Sequence, residues 1–205
     1  MVYKFDPSYW NGTIFHLDED TWDLSGDWDE YLCENQPIPA SCFPKTLTFD
    51  GAKAVLPDVF HTSRDIIVFS ERAREVMEQW APGQVEFIPV GCRAEPKIAA
   101  RLKFASAYYF TNVLGRAQRL QWLEMPTRKF PTLEDGTEQY SMLPDFSHWQ
   151  LRERAANEPL VWHDSAWLVE GRRYDGHSHV FVEDELWRKL DAKFPDQLNA
   201  LRVGE

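Results

Sequence analysis

The densest group of side chains able to bind a metal or move a proton lies near the C-terminus. His163-Asp164 is followed by Asp175-Gly176-His177-Ser178-His179. On a strand, side chains two residues apart project from one face, so His177 and His179 have the relative placement of two metal ligands. Asp164 or His163 would complete a set from a neighbouring strand. A metal-dependent enzyme using His163, His177 and His179 is therefore one reading. Neither HExxH nor a closed ligand set accompanies these residues, and hydrogen-bonded histidines at a strand start account for them better. We expect no metal site there.

Other chemistries find less support. Ser/His/Asp catalysis needs a nucleophile exposed on a tight turn, and no GxSxG elbow is present. Ser165, between Asp164 and Ala166, has no flanking glycines, and Ser70 in Val68-Phe69-Ser70-Glu71 suits a helix N-cap. Cys33, Cys42 and Cys92 are an odd number without CxxC spacing, so they form neither a disulfide framework nor a zinc ribbon. We read them as free thiols of a reducing cytosol. Cys92, after Gly91 and beside Arg93, has the position of a nucleophile, although an inert thiol is the commoner state of such a residue. GxGxxG and GxxxxGK[ST] are both missing, which argues against nucleotide-dependent chemistry. Arg116, Arg119 and Arg128 with Trp122 could form a basic, aromatic strip for an acidic ligand, or could pair with the chain's many carboxylates. No catalytic set is complete, and we expect neither an enzyme nor a cofactor.

Charge points elsewhere. The chain carries 22 Lys+Arg against 33 Asp+Glu, a formal −11. A pI near 5.0 argues against nucleic-acid binding, which needs a basic face. Most of the negative charge sits in residues 1–35, where nine acids face the single Lys4 and are interleaved with Trp10, Trp22 and Trp28. The group Asp18, Glu19, Asp20, Trp22, Asp23, Asp27 and Trp28 reads either as a solvated acidic surface with core tryptophans or as a docking surface for a basic protein. In the second case the carboxylates steer association and the aromatic rings anchor it.

The elements that would position these groups indicate an α+β fold: two strand-helix-strand units around a mixed or antiparallel sheet, with a Trp-rich core. At 205 residues and 43% hydrophobic content the chain can bury a core without disulfides or metals. We divide it into an acidic, irregular N-terminal region, 1–45, and an α+β domain, 46–205. Three prolines between Pro37 and Pro44 mark an irregular connection. Ile66–Phe69 reads as a buried strand, Ser70 as a cap, and the stripe Ala73, Val76, Met77 and Trp80 as the apolar face of a helix stopped by Pro82-Gly83. A second strand follows over Val85–Val90, and burial of Trp80 and Phe87 is expected.

At an offset of 113 residues the pattern recurs. Val180–Val182, the stripe Leu186, Leu190 and Phe194, then Pro195, Gln197 and Val203 repeat the order without a gap. Leu198–Val203 suits a strand or a short helix. Between the units, Ala107–Val113 and Leu120–Glu124 read as strands with Leu114-Gly115-Arg116 as the turn. Glu134-Asp135-Gly136 reads as a turn in a breaker-rich stretch, and short strands at Leu160–His163 and Ala166–Val169 precede a turn over 171–176. There is no apolar h-region at the N-terminus and no run near the ~20 residues of a membrane span, so a cytoplasmic protein is expected.

Ile66-Ile67-Val68-Phe69-Ser70-Glu71-Arg72-Ala73, Gly83-Gln84-Val85-Glu86-Phe87-Ile88-Pro89-Val90 and Val180-Phe181-Val182-Glu183-Asp184-Glu185-Leu186-Trp187 carry a resemblance. With Tyr108-Tyr109-Phe110 and Gln121-Trp122-Leu123, they resemble a bacterial immunity-protein family of polymorphic-toxin and type VI secretion systems, first catalogued as a domain of unknown function. The similarity covers roughly residues 55–205. It implies a protein that binds a cognate toxin to protect the producing cell, and it transfers no functional residue to a position here. The acidic N-terminus lies outside the similar stretch.

Overall fold

A computed structural model describes residues 1–7, 13–17, 31, 36–51, 56–62, 66–94, 96–100, 107–121, 127–142, 145–164, 167–169, 172–175 and 179–204. Their strands, in chain order, are β1 (Val2–Lys4), β2 (Thr13–Leu17), β3 (Thr46–Gly51), β4 (Val59–His61), β5 (Ile67–Ser70), β6 (Val85–Ala94), β7 (Tyr108–Val113), β8 (Arg116–Ala117), β9 (Thr127–Lys129), β10 (Glu138–Met142), β11 (Val161–Asp164), β12 (Trp167–Val169), β13 (Arg172–Asp175), β14 (Val180–Glu183) and β15 (Leu201–Val203). They form three sheets, ordered β2-β3-β6-β7-β5-β4, β15-β1-β14-β11-β8 and β12-β13-β10-β9. The class is α+β with mixed sheets, as the sequence indicates.

Two helices of ten residues follow β5 and β14 without a break, Glu71–Trp80 and Asp184–Lys193. The first starts at Ser70, whose hydroxyl accepts from the Ala73 N–H, satisfying one of the donors a helix start leaves open. Both stop in the same way. Ala81 (φ −133°, ψ 58°) and Phe194 (φ −129°, ψ 62°) donate back to Met77 and Leu190, each at 2.8 Å. Pro82 and Pro195 then bar continuation. Next, Gly83 (φ 70°) and Asp196 (φ 64°) turn the chain through the left-handed region, which glycine and aspartate tolerate best.

The match extends to strand pairing. In the first unit β5 lies between β4 and β7, with Phe69 opposite Val59 and Tyr109, and Val90 of β6 opposite Tyr108. In the second, β14 lies between β11 and β1, with Val182 opposite Val161 and Tyr3, and Val203 of β15 opposite Val2. Every one of these pairings corresponds. The place β7 takes in the first unit is taken in the second by β1, from the other end of the chain. Even the links into the helices agree: Glu71 N–H donates to the Ala107 carbonyl at 3.1 Å, and Asp184 N–H to that of Met1 at 2.9 Å.

Alternation along the strands separates three cores. Val59, Ile67, Phe69, Val161, Val180 and Val182 join Ala73, Met77, Leu186 and Leu190 in one cluster that draws on both sheets and both helices. Phe60, Val68 and Phe110 face the opposite side of the first sheet, covered by Ile38 and Phe43. Trp162 and Phe181 do the same in the second, with Leu120 and Trp149. Among the described residues Trp149 and Trp162 are the largest fully buried side chains, ahead of six phenylalanines.

Several details depart from the sequence reading. Trp80 is 43% exposed, because the last helical turn carries it beyond the buried pair Ala73 and Met77, and Lys189 Nζ lies 4.4 Å from its ring centroid. Phe87 is half-buried against the shared core. Arg116 is not in a turn: it opens β8, which crosses to pair in parallel with β11. The 171–176 stretch contains β13 instead of only a turn, and Leu198–Val203 resolves as a bridge from Leu198 to Pro7 followed by β15. The region 1–45 contributes β1 and β2 to two different sheets. The Glu134-Asp135-Gly136 turn is present, with Gly136 at φ 86°. Of the Leu120–Glu124 strand, Trp122–Glu124 lie outside the described residues, and Leu120 bridges Leu151.

Candidate partner-binding surface

In the first unit five residues, 62–66, connect β4 to β5. In the second, the connection from β11 to β14 contains the β12–β13 hairpin. That hairpin joins the β9–β10 hairpin through parallel pairing of β10 with β13. The resulting four-stranded sheet has no counterpart among the described residues of the first unit. Among its described side chains, Arg128, Lys129 and Arg172 are exposed on the strands, and Phe130, Glu134 and Asp135 between β9 and β10. Phe130 is 41% exposed with the Arg128 guanidinium 5.7 Å from its ring centroid. Lys129 and Arg172 lie 5.9 and 5.7 Å from the ring of Tyr140. Both also pair with Glu138, which accepts from the Tyr140 hydroxyl at 2.9 Å. Hydrogen bonds from Lys129 and Tyr140 hold the Glu138 carboxyl below its ordinary range. Such stacked cations present flat, partly apolar faces to a partner while keeping their charge solvated.

A buried ionic cluster lies at the root of this sheet. Asp164 ends β11, is fully buried, and accepts through Oδ2 from the backbone N–H groups of Arg119 (2.8 Å) and Leu120 (3.1 Å). Burial pushes its carboxyl up to about 6, against those two donors, the Trp162 indole and the Arg119 charge. The Arg119 guanidinium is 4% exposed. It pairs with Glu183, donates to the Arg152 carbonyl, and lies 4.5 Å from the Trp162 ring. Arg152 in turn engages Glu158 through both guanidinium ends, holding that carboxyl down to about 2. A cavity of about 620 Å³, lined by Arg119, Arg152, Trp149 and Met1 among others, borders the cluster. Asp164 does not line it, so its raised carboxyl is not presented to a solute.

The residues singled out in the sequence go to separate places. Asp18, Glu19, Asp20, Trp22, Asp23, Asp27 and Trp28 lie outside the described residues, as do His177, Ser165, Trp122 and Cys33. His163 is buried in β11 and its Nδ1 donates to the His179 carbonyl at 3.2 Å. The His179 ring packs against Phe146, Trp149 and Phe181. Among the described residues no three His, Cys, Asp or Glu side chains converge to hold a metal. Burial pushes the Cys92 thiol up to about 11, the opposite of what a thiolate nucleophile requires. Arg116, Arg119 and Arg128 do not make one strip: Arg119 is buried against Glu183, Arg128 covers Phe130, and Arg116 donates to backbone carbonyls.

Sequence reasoning missed Phe130, Lys129, Tyr140 and Arg172. Their strands are three to five residues long in a stretch rich in breakers, and β10 pairs with a strand some thirty residues away. The one signal in the sequence was the turn at Glu134-Asp135-Gly136, flanked on both sides by residues able to extend. No described helix is long and apolar enough to cross a membrane. No protein-family model matches the chain, and no curated protein does.

Proposed function

We propose that the chain is an immunity protein, which binds a cognate antibacterial toxin in the cytoplasm and neutralises it by stoichiometric occlusion, without catalysis. The observation that carries this reading is the four-stranded sheet that the β12–β13 insertion, in one of two units with matching helix and core strands, completes with β9 and β10. With Arg128, Phe130, Tyr140 and Arg172 together, this sheet has the composition of a docking surface, where aromatic residues and arginine are enriched. The resemblance of residues 66–90 and 180–187 to immunity proteins supplies the partner class. The acidic, Trp-bearing segment around Asp18–Trp28 gives that partner a second contact, favouring a basic toxin.

Co-expression with the products of adjacent genes tests the reading. One product should arrest growth alone, be tolerated with this chain, and elute with it as a complex of fixed stoichiometry. The absence of any toxic neighbour whose effect this chain relieves would overturn it. With the toxin in hand, replacing Asp18, Glu19, Asp20, Asp23 and Asp27 with amides should slow association and flatten its salt dependence, since rim charges act on encounter. An unchanged rate would remove that segment from the interface.

A further inference from the structure

The four-stranded sheet ends at β9, which has β10 on one side and, among the described residues, no strand on the other. Register decides which of its backbone groups face outward. Lys129 lies opposite Tyr140, and Arg128 opposite Ser141. Phe130 N–H donates to the Gln139 carbonyl at 2.8 Å, and in an antiparallel ladder bonded pairs alternate with unbonded ones. The N–H and C=O groups of Arg128 and Phe130 therefore point at β10, and those of Thr127 and Lys129 point away. Arg128, Lys129 and Phe130 are exposed, and among the described residues nothing bonds the outward groups. At β15, an edge of the five-stranded sheet, the backbone is engaged instead. There the N–H groups of Leu201, Arg202 and Gly204 donate to the carbonyls of Asn199, Ala200 and Phe146 at 2.9 to 3.1 Å.

An open edge pairs with any strand that reaches it unless its side chains select. Those of β9 select by charge. Arg128 lies over Phe130 with no carboxylate partner among the described residues, and Lys129 shares the single carboxylate of Glu138 with Arg172. Glu134 and Asp135 lie in the turn beyond the paired stretch, where Asp135 accepts from the Thr137 N–H at 2.8 Å. Antiparallel pairing of β9 with β9 of a second copy would set the cations of one chain beside those of the other, so the edge resists self-association. An acidic strand meets no such barrier.

We infer that β9 accepts an extended, locally acidic segment of the toxin as a fifth strand of this sheet. The inference rests on the function proposed above and names the contact: backbone bonds give affinity, and side chains beside them give specificity. Antiparallel addition, the more stable sense, exchanges main-chain hydrogen bonds at Thr127 and Lys129. It sets one incoming residue beside Phe130 and another beside Arg128. Read from its own N-terminus, the segment then runs apolar, any residue, acidic.

The edge is tested without the toxin by titrating the full chain with a cyclised hairpin peptide, preorganised to limit the entropy lost on binding. Its free edge reads Val-Thr-Glu. Saturable shifts of the Thr127 and Lys129 amide resonances are expected, and none with Val-Thr-Lys in its place. Arg128→Glu should reverse that preference, which a loss of folding cannot imitate. No shift with either peptide, or equal shifts with both, would overturn the site, whether or not a toxin is found. With the toxin in hand, the Thr127 and Lys129 amides should gain protection from hydrogen exchange. Lys129→Pro removes an outward N–H and leaves the bonds of Arg128 and Phe130 to β10, and it should weaken toxin binding about 10-fold or more. A toxin neutralised while both amides exchange as in the unbound chain would overturn the edge as its docking site and leave the immunity function standing.

Discussion

Gln84 and Gln197 hold the two units to each other reciprocally. Each follows its helix, and each side-chain oxygen accepts from two successive backbone N–H groups at the start of a strand in the other unit's sheet, at 2.7 to 3.2 Å. The helix caps differ. Ser70 caps the first helix and reaches Asp58, whereas Glu183 in its place makes no side-chain cap and pairs with buried Arg119. The aromatic partners differ as well: Tyr109 carries the Arg74 guanidinium at 4.9 Å, and Tyr3 stacks on Trp187 at 4.3 Å. Backbone geometry is thus retained where cap and surface chemistry diverge, because hydrogen-bonded strand pairing tolerates many side chains and a half-buried amide clamp on two backbone donors tolerates few.

The strongest test of equivalence lies in the cores. Phe60 and Trp162 occupy matched, fully buried positions, so Phe60→Ala and Trp162→Ala should each cost about 3–5 kcal/mol in denaturant unfolding. If one costs that much and the other under 1 kcal/mol, the two faces are not equivalent.

Acid titration should separate the units. Asp164 has Thr62 as its match, so only the second unit carries a buried carboxyl there. Its folded value of about 6 lies above the ordinary 3.8. The folded chain therefore keeps a proton that the unfolded chain has lost. This contribution is complete below pH 3.8 and disappears as pH rises through 6, a change of roughly 3 kcal/mol at most. Asp164→Asn should remove that slope from stability measured between pH 4 and 6. A slope identical to wild type would assign it to other groups.

A smaller, matched loss is expected from the clamps. Gln84→Leu and Gln197→Leu each strand two backbone donors and should cost about 1–3 kcal/mol. Hydrogen exchange should quicken at Leu160 and Val161 in the first variant and at Asp58 and Val59 in the second. Exchange that quickens only within the unit carrying the substitution would deny the reciprocity. Smallest of all, Trp80→Ser should change stability by no more than about 0.5–1 kcal/mol, since the ring is largely at the surface. A loss like that of Trp162→Ala would show that Trp80 is a core residue.

The sequence alone was enough to locate both strand-helix-strand units, the Ser70 cap, the stripes at Ala73/Met77 and Leu186/Leu190, and the stops at Pro82 and Pro195. These signals act over one to four residues, through helical period, cap hydrogen bonds and the fixed φ of proline. A further repeat, Pro57-Asp58-Val59-Phe60-His61 against Pro159-Leu160-Val161-Trp162-His163, stood in plain view at an offset of 102 residues. It escaped notice because the inserted hairpin shifts the match by 11 from the 113 of the other elements. Of the candidate surface, the turn at 134–136, the strand over Ala166–Val169 and Arg128 were legible. That β1 completes the second unit, that β10 finds β13, that Trp80 turns outward and that Arg119 meets Glu183 while Arg116 meets backbone carbonyls were decided by the tertiary structure. Each depends on groups distant in the chain, and whether a charge is solvated, paired or left alone is a property of the packing around it.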